Sequence, residues 1–181
     1  MSKERTDYLL DLNEILGPKM SAKLPGFAKR FLRKRLHMDQ INDCIMKAEH
    51  YAGAGFFDEA LNYIGITYKT RGEENLDLSK NYIFACNHPL GGPEALIIGS
   101  VFRRIYGDGF KVPANQILYN MKPLQEFFVP VKVQAGRQSR DIADRFSQMF
   151  ESDCQVLVFP AGLCARTFKG VITEMPWKKM F

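Results

Sequence analysis

A chain of 181 residues, 46% hydrophobic and 25% charged, is long enough for one domain with a proper core, too short for two, and too apolar for global disorder. Its net charge of +5 sits at the start: residues 1–37 carry nine Lys/Arg against four Asp/Glu, and residues 38–181 carry sixteen of each. That balance argues against a nucleic-acid-binding surface, and the absence of any run of about 20 apolar residues argues against a transmembrane helix.

The first third reads as helical. Leu9, Leu10, Leu12, Ile15 and Leu16 recur at near-helical spacing over residues 7–16, and Gly17-Pro18 stops the helix. Residues 26–37 (GFAKRFLRKRLH) interleave Lys29, Arg30, Arg33, Lys34 and Arg35 with Phe27, Phe31, Leu32 and Leu36. Residues 39–50 and 56–63 predict two further short helices separated by Gly53 and Gly55. The N-terminus lacks the apolar stretch of a secretory leader.

After Gly65 the texture changes. Residues 66–71 (ITYKTR) alternate like a strand, and residues 82–86 (YIFAC) form an apolar run suited to an internal strand. A helix follows over residues 93–105, with Pro93 at a favoured first position. Residues 127–131 (FFVPV) predict a strand. Residues 137–151 predict an amphipathic helix with Ile142, Ala143, Phe146, Met149 and Phe150 inward, and residues 154–159 (CQVLVF) another buried strand. The four cysteines, Cys44, Cys86, Cys154 and Cys164, form no C-x-x-C pair; free thiols in a reducing cytoplasm are expected, with no zinc or other metal site.

Strands alternating with helices predict an α/β fold, a central mixed sheet flanked by helices, with a helical segment over residues 1–64 and the α/β core over residues 65–181. In such folds sites form at the carboxyl ends of strands. Two strands end in turn-rich loops: Asn87-His88-Pro89-Leu90-Gly91-Gly92, followed by Pro93-Glu94, and Pro160-Ala161-Gly162. The first puts an imidazole at a strand end and a carboxylate at a helix start. Histidine is the usual general base near neutral pH, worth about 10²–10⁴ in rate, and a carboxylate partner fixes its tautomer and stabilises the imidazolium. Gly91 and Gly92 suit a tight turn or close substrate approach, and the amides of the following helix suit a developing negative charge. Taken alone, the same residues do not decide against plain turn chemistry and a helix-dipole contact from Glu94.

Asn-His at a strand end, a carboxylate on the next helix and a later apolar strand ending in Phe-Pro-x-Gly resemble the glycerol-phosphate and lysophospholipid acyltransferase superfamily. Its signatures are H-x4-D and F-P-E-G-T-R-S-R. The sequence is similar in particular to a bacterial subgroup with N-H-P-L-G-G-x-D and F-P-A-G-L-x-x-R, known as glycerol acyltransferase or hemolysin-like proteins. The resemblance runs from about Leu16 to Phe181. It implies an O-acyltransferase in which His88 takes the acceptor hydroxyl's proton and Glu94, in H-x5-E spacing, stands for the family's aspartate. Asn87, Gly91 and Gly92 would line the substrate.

Phe159, Pro160, Gly162 and Arg166 match the second motif, whereas Ala161, Leu163 and Cys164 replace its glutamate, threonine and first arginine. The loss of a guanidinium and a carboxylate points away from a simple glycerol phosphate and toward a lysolipid with another headgroup, such as an amino-acid-linked one. The competing expectation is that Lys111, Arg137, Arg140 or Lys169 supplies the missing charge. Lys111 and Asn115 fall where the family has an acceptor-binding strand. The acyl donor would be a thioester of acyl carrier protein or coenzyme A, with no cofactor.

The basic segment Phe27, Lys29, Arg30, Phe31, Arg33, Lys34 and Arg35 would dock on an anionic membrane, placing the protein peripherally on the inner face of the cell membrane with no nucleic-acid partner. Two other readings remain: a non-catalytic membrane-binding relative, or a hydrolase in which Cys86 or another thiol is the nucleophile, activated by His88. Family members continue for several tens of residues after the stretch like 175–181, so the last part of the fold is expected to be missing.

Overall fold

The predicted first helix is interrupted. In the computed structural model, which describes residues 4–131 and 140–177, Arg5–Tyr8 makes a single 3-10 turn and α1 covers only Leu12–Leu16. Asp11 caps α1, its carboxylate accepting the Asn13 N–H at 2.9 Å. Gly17, at φ 74°, turns the chain, and Pro18 then opens α2 (Pro18–Lys23). A ring-locked φ and a missing N–H suit a helix's first position, so the dipeptide that ends one helix starts the next. α3 (Gly26–Arg35) and α4 (Met38–Lys47) follow, joined through His37 in a left-handed conformation (φ 51°). Leu32 and Leu36 of α3 pack toward Leu10, Leu12 and Met38. α5 (Gly55–Tyr63) buries Phe56, Phe57, Ala60 and Leu61.

Residues 66–71 do not form the expected strand. Tyr68 turns inward, its hydroxyl 2.7 Å from Ser100 Oγ, so the alternation reports a half-buried extended segment. No described strand lies alongside it; it packs against α6 (Gly92–Tyr106) instead.

The sheet is built from β1 (Ile83–Ala85), β2 (Phe110–Ala114), β3 (Phe128–Pro130) and β4 (Gln155–Val158), in the order β1-β4-β2-β3. The expected α/β class holds, with one refinement: every pairing among these four is parallel. The links through α6, through α7 (Gln116–Tyr119) and a 3-10 turn, and through α8 (Arg140–Glu151) are crossovers that return the chain to the same end of the sheet. Among the described residues, antiparallel pairing is confined to a hairpin of β5 (Arg166–Phe168) and β6 (Val171–Thr173). Its turn, Lys169-Gly170, has positive φ at both residues (48° and 80°), the conformation that matches strand twist in a two-residue turn. The ladder between β2 and β4 stops at Lys111 opposite Val156, before Pro113, which has no N–H to donate.

β4 is buried along its whole length, whereas β1 is an edge strand. The main core joins both halves of the sequence: Ile45, Phe56 and Phe57 from the early helices pack with Phe102, Phe110, Leu124, Phe127 and Leu157. Phe110 and Phe127 stack at 4.7 Å. α5 and α6 approach closely because Gly99 has no side chain; a Cβ there would lie 2.3 Å from the Phe57 ring. In α8, Met149 is buried and Phe150 packs against the second cluster around Val129, Val156 and Val158. Arg137 and the predicted start of that helix lie outside the described residues, as do the side chains of Arg140, Ile142, Ala143 and Phe146. No described helix is long and apolar enough to cross a membrane.

Candidate active site

Sheet order makes the site. β1 and β4 are neighbours, with Ala85 level with Val158, and the Cys86 N–H extends their ladder by donating to the Val158 carbonyl at 2.9 Å. The loops that leave these two strands, residues 86–91 and 159–165, therefore emerge side by side from the carboxyl edge. Ala165 N–H donates to the His88 carbonyl at 2.8 Å. The Phe159 ring lies against the imidazole, centroids 4.4 Å apart at 32°.

His88 Nδ1 and Glu94 Oε1 are 2.6 Å apart, with the side chains only 17% and 11% exposed. Glu94 ionised is acceptor-only, so Nδ1 carries the proton and donates it, leaving the Nε2 lone pair to face outward chemistry. Nε2 has no partner among the described residues. The ring is thus shielded without being sealed, and it is bonded to a carboxylate.

The spacing of this pair has a local cause. Gly91 sits just before α6 at φ 87°, ψ −117°, a region open to glycine and strained for other residues. That turn aims the Leu90 and Gly91 amides inward, and Glu94, in the first turn of α6, reaches back to collect them. Oε2 accepts from Leu90 N–H at 2.9 Å, and Oε1 accepts from Gly91 N–H at 2.8 Å as well as from His88. One buried carboxylate therefore holds the loop and the imidazole together. These two amides, spent on Glu94, cannot serve a developing oxyanion; of the expected donors, Gly92 holds the exposed first position of α6. A Cβ on Gly91 would also lie 3.2 Å from Cys164 Sγ, where the second loop crosses over the first.

The remaining expected residues fall into two groups. Asn87 is exposed beside His88, and Gly162 makes the tight turn of the second loop, with φ 65° and its N–H on the Phe159 carbonyl at 2.9 Å. Pro160 and Ala161 are buried under that turn, Ala161 being 1% exposed, so the position of the family's glutamate is filled by a small apolar side chain. Arg166 opens β5, exposed and directly after the residue that bonds His88.

Lys111 does not join them. It is level with Val156 and, through β4, with Ile83, toward the amino end of the sheet, and its ammonium donates to the Glu126 carbonyl at 2.7 Å. Asn115 follows β2 at the correct end but acts as a cap, accepting Leu118 N–H on Oδ1 at 3.0 Å. Lys169 occupies the hairpin turn. Cys86 packs against the core, and burial pushes its thiol pKa up, which disfavours a thiolate nucleophile.

Glu174 was not singled out by the sequence reading. Its Oε1 accepts the His88 backbone N–H at 3.2 Å. No local pattern marks it, because the contact joins residues 86 positions apart.

A hydrogen-bonded His–Glu pair at the carboxyl edge of a parallel sheet, beside a Phe-Pro-x-Gly turn, is an arrangement chemically suited to base-assisted group transfer. A family model described as acyltransferase matches residues 12–181, and the chain belongs to this acyltransferase family. It is similar to two curated proteins named lyso-glycine lipid O-acyltransferase. The one from Bacteroides thetaiotaomicron is 34% identical over 96% of this chain, and the one from Phocaeicola vulgatus is 30% identical over 96%. The chain spans 65% and 63% of those relatives' own lengths. No solved structure matches significantly.

Proposed function

We propose that the protein transfers a fatty acyl group from a thioester of acyl carrier protein or coenzyme A to the hydroxyl of a lysolipid. His88 Nε2 removes the hydroxyl proton as the oxygen attacks the thioester carbonyl. The C–S bond breaks, the thiolate takes the proton back from the imidazolium, and an ester remains. Glu94 holds the ring and offsets its transient positive charge. The observation that carries this reading is the 2.6 Å contact between His88 Nδ1 and Glu94 Oε1, which leaves Nε2 available on a partly open ring. Leu90 and Leu163, 63% and 39% exposed, give the two loops an apolar rim that suits a lipid.

The acceptor we favour is a lysolipid bearing an amino-acid headgroup. The buried Ala161 and the thiol of Cys164 remove the charges a phosphate would use, while Arg166 keeps one guanidinium for a carboxylate. The names of the two relatives agree with a glycine-bearing lysolipid. The decisive assay is thiol release from acyl-coenzyme A and from acyl carrier protein, with lyso-glycine lipid and lysophosphatidate in parallel. Release should require the lysolipid, favour the glycine form, vanish in His88→Ala and survive in Cys86→Ser. Preference for lysophosphatidate would dismiss the acceptor assignment, and activity retained in His88→Ala would dismiss the mechanism.

Residues 1–64 would serve the membrane and residues 65–181 the chemistry. In α3, Leu32 and Leu36 face the interior, while Phe27 and Phe31 stand 78% and 66% exposed among Arg30, Lys34 and Arg35. Lys29 is half-buried and Arg33 is paired with Asp39. Two aromatic side chains at the headgroup level, with cations each worth about 1 kcal/mol near an anionic surface, support docking on an anionic membrane, which in this reading is the inner face of the cell membrane. Flotation with liposomes should require anionic lipid and fail for Phe27→Ser/Phe31→Ser.

A further inference from the structure

The reaction proposed above leaves one carboxylate beside His88 without a task. Glu174 directly follows β6, and it is the residue through which the exposed hairpin reaches the base. Its Oε1 accepts the His88 N–H at 3.2 Å, while the His88 carbonyl accepts from Ala165 N–H at 2.8 Å, just before β5. Both polar groups of the His88 backbone are therefore held by the two ends of one hairpin. The other oxygen, Oε2, is shielded from solvent and has no hydrogen-bond partner among the described residues.

The geometry has a consequence for the imidazole. Glu94 fixes the ring at Nδ1, but a ring bonded at one atom can still pivot with its Cα. The hairpin removes that freedom by holding the main chain on both sides. We infer that Glu174 is a positioning residue: by accepting the His88 N–H it sets where Nε2 stands relative to the acceptor hydroxyl, and it does so through its hydrogen bond and not through contact with substrate. This rests on the acyl-transfer reading of His88.

The test compares Glu174→Gln, which keeps an acceptor oxygen of the same reach, with Glu174→Met, of similar length and without that oxygen. Two readouts are taken on the full-length protein: steady-state acyl transfer, and the downfield proton resonance of His88 Nδ1–H bonded to Glu94. In Glu174→Met, kcat should fall roughly 10- to 100-fold, as expected for a misplaced catalytic group, with KM within about threefold, and the resonance should weaken or vanish. Glu174→Gln should restore both. The inference is overturned by Glu174→Met retaining the wild-type kcat and resonance, by a loss confined to KM, or by Glu174→Gln being as impaired as Glu174→Met. Should Glu174→Met fail to fold, Glu174→Asp replaces it: shortened by one methylene, it should weaken the resonance and lower kcat, and an unchanged Glu174→Asp overturns the inference. If the wild type shows no acyl transfer, the functional reading fails, and the resonance still judges the role of Glu174.

Discussion

Replacing Glu94 by Gln separates the two jobs of this side chain. The carboxylate accepts three hydrogen bonds, from His88 Nδ1–H, Gly91 N–H and Leu90 N–H. An amide of the same shape has one acceptor oxygen and one donor nitrogen. Placing the oxygen where Oε1 now stands keeps the bonds to His88 and Gly91 but turns the amide nitrogen toward the Leu90 N–H, donor against donor. This donor is only part-buried, so leaving it unsatisfied costs about 1 kcal/mol, the low end for a buried group, which for a domain of this size lowers Tm by about 2–4 °C. The ring keeps its tautomer, but the imidazolium formed during proton abstraction loses its counter-charge. General-base catalysis supplies about 10²–10⁴ in rate; losing the charge while keeping the geometry should lower kcat about 10²-fold, or about 2.7 kcal/mol of barrier. Lysolipid-dependent thiol release and a thermal melt on the same preparation measure the two effects separately. Because the pair acts as a unit, His88→Ala/Glu94→Gln should be no slower than His88→Ala. A Glu94→Gln enzyme within about threefold of wild type would refute the catalytic pairing, as would a double variant whose loss is the product of the single ones.

Three further outcomes follow from the packing. Gly91→Ala forces a side chain into φ 87° and sets a Cβ 3.2 Å from Cys164 Sγ; strain of about 1–3 kcal/mol should appear as a lower melting temperature together with lost acyl transfer, since the same turn delivers two amides to Glu94. Gly99→Ala drives a Cβ to 2.3 Å from the Phe57 ring, so overpacking should cost about 1–3 kcal/mol in denaturant titrations. There the site is untouched, so kcat on the folded fraction should stay at the wild-type value. Brief alkylation followed by peptide mass spectrometry should label the exposed Cys164 first and Cys44 last, since burial pushes the Cys44 thiol up to about 11; rapid labelling of Cys44 would contradict its place in the core.

What could be read in the sequence depended on the range over which each signal acts. The buried run of β4 announced itself because every side chain from Gln155 to Val158 is enclosed, and a stretch that is apolar apart from Gln155 fits a central parallel strand. His88 stood out as a candidate only when its strand-to-helix turn was joined to the later Phe-Pro-x-Gly turn in a family resemblance, because the imidazole, glycines and carboxylate taken alone also fit turn chemistry. Lys111 was misplaced for the opposite reason: the end of the sheet at which a strand residue stands is set by register with β4, which no local pattern encodes. Residues 66–71 show the same limit, since alternation specifies one buried face but not a hydrogen-bonded neighbour. The β5–β6 hairpin carries exposed residues throughout, so it lacks the half-buried alternation by which strands are recognised.

The H-x5-E spacing differs from H-x4-D by one loop residue and one methylene, and the subgroup pattern N-H-P-L-G-G-x-D shares the longer loop while keeping aspartate, so the reach of the carboxylate can be tested apart from the loop. Glu94 stands in the first turn of α6, where a side chain can fold back on the preceding loop, and its Oε1 meets both the Gly91 N–H and His88 Nδ1. One extra residue in the loop lengthens the path from His88 to the helix; one extra methylene lengthens the return. Shortening the side chain alone tests whether this loop needs the glutamate's reach for the shared Oε1 contact. Glu94→Asp keeps the charge but withdraws the carboxylate by about one bond length, so it should lose the shared Oε1 contact and fall below Glu94→Gln in kcat if position outweighs charge. Deleting Gly92 in the Glu94→Asp background restores the shorter H-x4-D spacing and should recover part of that loss. A deletion that recovers nothing, in a variant whose melting temperature shows it folded, would mean that the loop length and the carboxylate were never matched to each other.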